Sequence, residues 1–254
     1  MWRKHATVCF FVVAFALSWG IGAIFAGVPL VAPDRLFIGG VPVAAVLVLG
    51  ATGGRAALAD LSRGLVRWQV GAIWYGVVAV LPVLLIGVAV LALPLVGGSQ
   101  ADWGNRPPFL PTALLFAVLV LLPLGAPLGE EIGWRGVALP QLLTRLGPVT
   151  ASLVLGVVWS LWHLPGVLAD PTLRVPAPFL LSVVPLSVTF TWIFLRTGRS
   201  LLIMVLFHAW YDLVLQCAAA VIDQNDIARL WWLLVVTQSI AAAVVGLRLR
   251  GSRP

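Results

Sequence analysis

Charge is what this chain has least of. Lys, Arg, Asp and Glu together make up 10% of its 254 residues, against 61% hydrophobic residues, and the mean hydropathy is +1.06. That balance excludes an ordinary soluble domain, whose loops and surface helices need far more polar side chains. Cysteine is almost missing as well. Cys9 lies early in the first apolar run and Cys217 late in the seventh, toward opposite membrane faces, so no disulfide is expected. No basic patch or stripe accompanies the net charge of +7. Its Lys and Arg residues are scattered through short loops, which argues against nucleic acid as a partner. The alternating pattern of a membrane barrel is missing too, as are an internal repeat and a boundary between domains.

What remains is a series of apolar runs of about 18 residues or more, the length a helix needs to cross a bilayer. Eight spans are expected, at 6–28, 36–53, 69–97, 111–133, 148–169, 178–195, 200–222 and 230–247. The fold class is therefore all-α, a polytopic bundle forming a single membrane domain over residues 1–254, with the lipid bilayer as its surroundings. The first run follows Arg3 and Lys4 but is long and is succeeded by similar runs, so it reads as a span rather than a leader.

Orientation follows from the loops, because Lys and Arg concentrate on the cytoplasmic side. With the N-terminus inside, the inner segments hold Arg3, Lys4, Arg55, Arg63, Arg67, Arg135, Arg145, Arg196, Arg199, Arg248, Arg250 and Arg253. The outer segments hold Arg35, Arg106, Arg174 and Arg229, which completes the 16 basic residues. Both termini are expected in the cytoplasm of a multi-pass cell-membrane protein. Asp34, Asp102, Asp170, Asp223 and Asp226 fall in outer loops and Asp60 in an inner one. The stretch GRAALADLSRGLVRW, Gly54 to Trp68, reads as a short amphipathic helix on the inner surface.

Ionisable groups within the spans are costly unless paired or solvated, which makes them functional candidates. They are Glu130, Glu131 and Arg135 at the end of the fourth span, His163 in the fifth, and His208 with Asp212 in the seventh. Glu131 and Arg135 are four residues apart and share a helix face, so a salt bridge that supports local structure is their simplest role. Glu130 points about 100° away from Glu131 around the helix and is the better working carboxylate. The pairs His208/Asp212 and Trp159/His163 repeat the four-residue spacing, and the second sets an aromatic wall beside an imidazole.

Depth connects these groups. The fourth and fifth spans form a hairpin turning near Gly147 and Pro148, and Glu130 and His163 lie 17 and 16 residues from Gly147. Both should then sit about 25 Å from the hairpin tip. His208 and Asp212 stand roughly 15 and 21 Å above the turn at Gly198. All four meet if the hairpin projects somewhat into the cytoplasm. Pro165 should kink the fifth helix and free a backbone carbonyl near His163.

EEIGWR (Glu130 to Arg135), WSLWH (Trp159 to His163) and HAWYD (His208 to Asp212) resemble, in order, the EExxxR, FxxxH and HxxxN/D motifs of the CPBP intramembrane proteases. That family includes type II CAAX prenyl endopeptidases, lysostaphin resistance protein A-like proteins and Abi proteins. Trp159 stands where Phe is usual, and Asp212 where the prenyl-protein enzymes use Asn. The resemblance implies a protease-like catalytic core over 111–215 and an endopeptidase acting on a membrane-associated, prenylated or bacteriocin-like peptide. It implies Glu130 as general base on water, His163 as polarising partner, and His208 with Asp212 at the oxyanion. Fixed donors in a low-dielectric cavity suit that chemistry. An ionised Asp212 would repel an oxyanion, so it contributes only when protonated or by orienting His208.

No cofactor is favoured. A zinc site built from His163, His208 and Asp212 is the metal variant, though no HExxH motif is present. Two other functions compete, a proton- or ion-coupled transporter and a family scaffold without proteolysis.

Overall fold

The computed structural model describes residues 5–25, 36–121, 126–170 and 176–250. Arg3, Lys4, Asp34, Arg35, Arg174 and Arg253 lie outside the described residues, as do positions 26–28 and 122–125 of the expected first and fourth spans. The described residues are all-α. The helices are α1 (Ala6–Ile24), α2 (Gly40–Leu65), α3 (Ala72–Ala92), α4 (Phe109–Leu121), α5 (Ala126–Gly133), α6 (Leu139–Leu143), α7 (Pro148–Trp162), α8 (Leu164–Ala169), α9 (Pro176–Arg196), α10 (Leu201–Val221) and α11 (Ile227–Arg250).

Among the described residues, seven helical segments are long and apolar enough to cross a membrane: Ala6–Ile24, Gly40–Leu65, Ala72–Val96, Pro148–Ala169, Pro176–Arg196, Leu201–Val221 and Gln224–Leu249. Large apolar side chains remain exposed along them, such as Val8 and Val12 on α1, Leu84 and Leu91 on α3, and Ile240 and Val244 on α11. Continuous exposed apolar surface of this kind is costly in water and fits contact with lipid. The chain is a multi-pass membrane protein.

The fourth expected span, 111–133, includes residues 122–125, which lie outside the described residues. On either side of them stand α4 and α5, and α5 runs on through a π-helical turn, Trp134–Ala138, into α6. Pro140 accounts for the turn. It has no N–H to give the carbonyl four residues back, and the wider spacing, with the Leu139 N–H bonding Trp134 O, carries the helix past it.

A second difference concerns the amphipathic segment from Gly54 to Trp68. It joins the second span in one helix, broken at Gly54, whose φ of 61° and ψ of −150° suit glycine alone. Beyond the break, Ala57, Leu58, Leu61, Gly64 and Leu65 turn inward while Arg55, Ala59, Asp60 and Arg63 are exposed. This is an amphipathic pattern at helical period.

Inside the bundle, α9 packs against α7 and α11, α10 against α3, α4 and α5, and α1 with α2 against the α5–α6 segment. The α7–α9 contact sets the register of the site. Ser152, Gly156 and Ser160 are buried at four-residue spacing on α7. A Cβ at Gly156 would lie 2.9 Å from the Val184 backbone. Ser160 Oγ donates to Leu180 O at 2.7 Å. Small residues let membrane helices approach in this way, and the hydroxyl bond fixes their sliding position.

Candidate active site

The site forms where α5, its π-turn, α7, α9 and α10 converge. Glu130, Glu131, Arg135, Trp159 and His208 are all buried there, Glu131 and Arg135 completely. Glu130 Oε2 accepts from Trp159 Nε1 at 2.5 Å and from Trp134 Nε1 at 3.3 Å. Both indoles bond the same oxygen. Oε1 makes no hydrogen bond to a described residue, and Glu130 keeps 3% of its surface accessible.

Glu131 is the centre of the ionic contacts. Its Oε1 receives Arg135 Nη1 and His208 Nδ1, each at 2.8 Å. The Arg135 guanidinium lies between two aromatic faces, 4.3 Å from the Trp159 ring centroid and 4.1 Å from that of Phe190. Arginine is suited to this place because its plane stacks while its edge hydrogen-bonds. The Glu131–Arg135 pair is therefore the expected salt bridge, but it has a further task. Glu131 also holds one nitrogen of His208.

Asp212 is the weaker partner of that imidazole. Its Oδ2 is 3.7 Å from His208 Nε2, beyond hydrogen-bond reach, and its side chain is 30% exposed. On this geometry Glu131, rather than Asp212, orients His208.

His163 caps α7, one turn beyond Trp159. Its Nδ1 lies 2.8 Å from Trp159 O, and since a carbonyl only accepts, Nδ1 carries the proton. In the neutral ring Nε2 then presents a lone pair. Trp159 stands between the two histidines, with centroids 5.8 Å from His163 and 5.6 Å from His208. At Pro165 α7 gives way to α8, and the Trp162 carbonyl beside this kink accepts Trp19 Nε1 at 3.0 Å.

Glu130, Trp159, His163 and His208 thus share one neighbourhood, and Asp212 lies at its edge. Among the described residues no group of three His, Cys, Asp or Glu side chains is placed to hold a metal ion. The trio His163, His208 and Asp212 needed by the zinc variant is not gathered. Two contributors lie outside the sequence expectation. Trp134 could have been found, since it stands four residues beyond Glu130. Phe190 could not, because α9 brings no ionisable group to the site to mark its inward face.

Residues 111–214, which include every side chain of this cluster, match the family described as type II CAAX prenyl endopeptidase Rce1-like. Over these residues the chain is similar to that family. A curated CAAX prenyl protease 2 from Methanococcus maripaludis is 30% identical over 137 residues, which cover 50% of this chain and 50% of that protein. The chain spans about half the length of this curated relative. The buried Glu130, Glu131 and His208 side chains all lie within the matched residues.

Proposed function

We propose that this chain is an intramembrane endopeptidase that hydrolyses a peptide bond of a membrane-associated substrate through a water activated by Glu130. One observation carries the reading. The Glu130 carboxylate is buried and anchored through Oε2 by two indole N–H groups, while Oε1 is left for water.

In the proposed reaction Oε1 takes a proton from water as the water oxygen attacks the scissile carbonyl carbon. The carbonyl π pair moves onto its oxygen. His163 Nε2 accepts a hydrogen bond from the attacking water and aligns it. His208, held at Nδ1 by Glu131, turns Nε2 toward the reacting centre and, when protonated there, donates to the oxyanion. Collapse of the intermediate expels the amine, which takes the proton from Glu130. Asp212, at the accessible rim, orients solvent and substrate beside His208.

The relative's name supports prenylated C-terminal peptides as the first substrates to try. The distribution of Lys and Arg between the loops supports a site open to the cytoplasm. Purified protein in lipid, given a farnesylated peptide of the C-terminal type, is expected to release the terminal peptide, and Glu130→Gln to release none. Full cleavage by Glu130→Gln would overturn the assignment. So would substrate-dependent proton flux without any cleavage.

A further inference from the structure

At the arginine-rich end of the bundle, the second half of α2, the π-turn and α6, and the α9–α10 turn enclose a cavity of about 410 Å³. Arg63, Arg67, Arg199 and Asp60 are exposed residues lining it, and the buried Arg135 lines it as well. Asp60 is taken up by Arg63 in an ion pair. Arg67 and Arg199 form no ion pair with a described residue. Arg135 spends Nη1 on Glu131, but its Nε and Nη2 are buried and bond no described residue. Three guanidinium groups with unused donors therefore line one cavity whose single carboxylate is already engaged. An oxyanion is the chemistry that completes it, because guanidinium edges match phosphate geometry.

The remainder of the cavity says which oxyanion. Its other walls include Leu49, Leu61, Phe194 and Leu201, which a small water-soluble anion would leave unused. At its rim Arg67 stands between Val66, 70% exposed, and Trp68, 64% exposed. Exposed apolar and indole side chains flanking a cation are the mark of a segment lying at headgroup level. Arg199 adopts a left-handed backbone (φ 65°), unusual for a residue with a side chain, in the turn that carries it to the cavity. Ser200 Oγ donates to Arg67 O at 2.6 Å and holds the two arginine-bearing segments together.

We propose that this cavity binds the headgroup phosphate of an anionic phospholipid, with the glycerol against the apolar wall. Arg67 and Arg199 grip the phosphate, and Arg135 completes the cavity beneath them. The same Arg135 holds Glu131, so occupancy and the order of the site are linked through one guanidinium.

Native mass spectrometry of the intact protein, equilibrated with equal amounts of phosphatidylglycerol and phosphatidylcholine, tests this. At least a fivefold preference for phosphatidylglycerol is expected. The double variant Arg67→Gln/Arg199→Gln, shown to be folded by its unfolding temperature, should bring the ratio to about one. Arg106→Gln, in the loop before α4, should leave it unchanged. Equal binding of the two lipids by the unaltered protein would overturn the proposal, as would an undiminished preference in the double variant. Inorganic phosphate that displaces the lipid and protects the protein equally well would assign the cavity to a free anion instead. Displacement by a peptide with a free C-terminal carboxylate, but not by its amide, would assign it to substrate.

Discussion

The indole N–H of Trp159 donates to Oε2 of Glu130 at 2.5 Å, joining α7 to α5 across 29 positions of the chain. The ring that makes this bond also lies between His163 and His208 and covers one face of Arg135. One side chain thus performs two separable tasks, hydrogen bonding through its N–H and positioning through its ring.

Those tasks divide on substitution. Trp159→Phe keeps a ring and loses the N–H. It is expected to lower stability by about 1.5–3 kcal/mol, the range for a hydrogen bond to a charged group, and kcat by less than about tenfold. Trp159→Ala removes the wall as well and should lower kcat by about a hundredfold or more. Thermal unfolding in detergent and steady-state cleavage kinetics check both.

Arg135→Met should destabilise the protein by about 3–5 kcal/mol, because it leaves Glu131 buried without its cation. Arg135→Lys should restore little, since an ammonium cannot stack between Trp159 and Phe190 while bonding Glu131. The double variant Arg135→Met/Glu131→Gln should regain part of the loss. Unfolding temperatures of the unaltered protein, Arg135→Met, Glu131→Gln and the double variant form the cycle.

Asp212→Asn is expected to change kcat by less than about tenfold, because the 3.7 Å separation from His208 carries no hydrogen bond to lose. Glu131→Gln should do more damage, about a hundredfold, since Glu131 Oε1 fixes His208 at 2.8 Å. A KM that stays near its original value in both variants would place the losses in the chemical step. A larger loss for Asp212→Asn than for Glu131→Gln would reverse the roles given to these carboxylates.

Gly156→Ala should cost about 1–3 kcal/mol, because its Cβ would meet the Val184 backbone at 2.9 Å and α7 must move away from α9 to admit it. The same displacement moves Trp159, so cleavage should fall with stability. An unchanged unfolding temperature and rate would show that the α7–α9 approach is looser than described.

Cleavage is expected to change by less than about twofold after exhaustive chelation, because the zinc trio His163, His208 and Asp212 is not gathered. Loss of activity on chelation and recovery with added zinc would require those donors to assemble in the working state.

Relations within one helix were legible from the chain alone. Glu131 with Arg135, and Trp159 with His163, lie four apart, and helix geometry dictates that they meet. Counting along the hairpin also served, since Glu130 and His163 are both in reach of Trp159. The Glu131–His208 bond was not legible. It depends on how far α5 and α10 are rotated about their own axes, which is set by packing rather than spacing. The π-turn that follows α5 was hidden for a different reason. Hydropathy does not register a change of helix type, and the proline responsible lies beyond the apolar run, at position 140.

The π-turn at Trp134–Ala138 has a consequence for how this chain aligns with its kin. A π-turn accommodates one residue more than a regular helix would need there. Removing one residue between Trp134 and Ala138, with Pro140 replaced by a residue that has an N–H, would therefore relax the segment to ordinary pitch, leaving the phase of α5 relative to α6 almost unchanged. Elsewhere in the bundle a one-residue deletion would rotate everything downstream by about 100°. The site's own helix is thus a place where length variation is cheap. Comparisons across the family should expect a single-residue gap just after the arginine of EEIGWR, with the paired glutamates still in register.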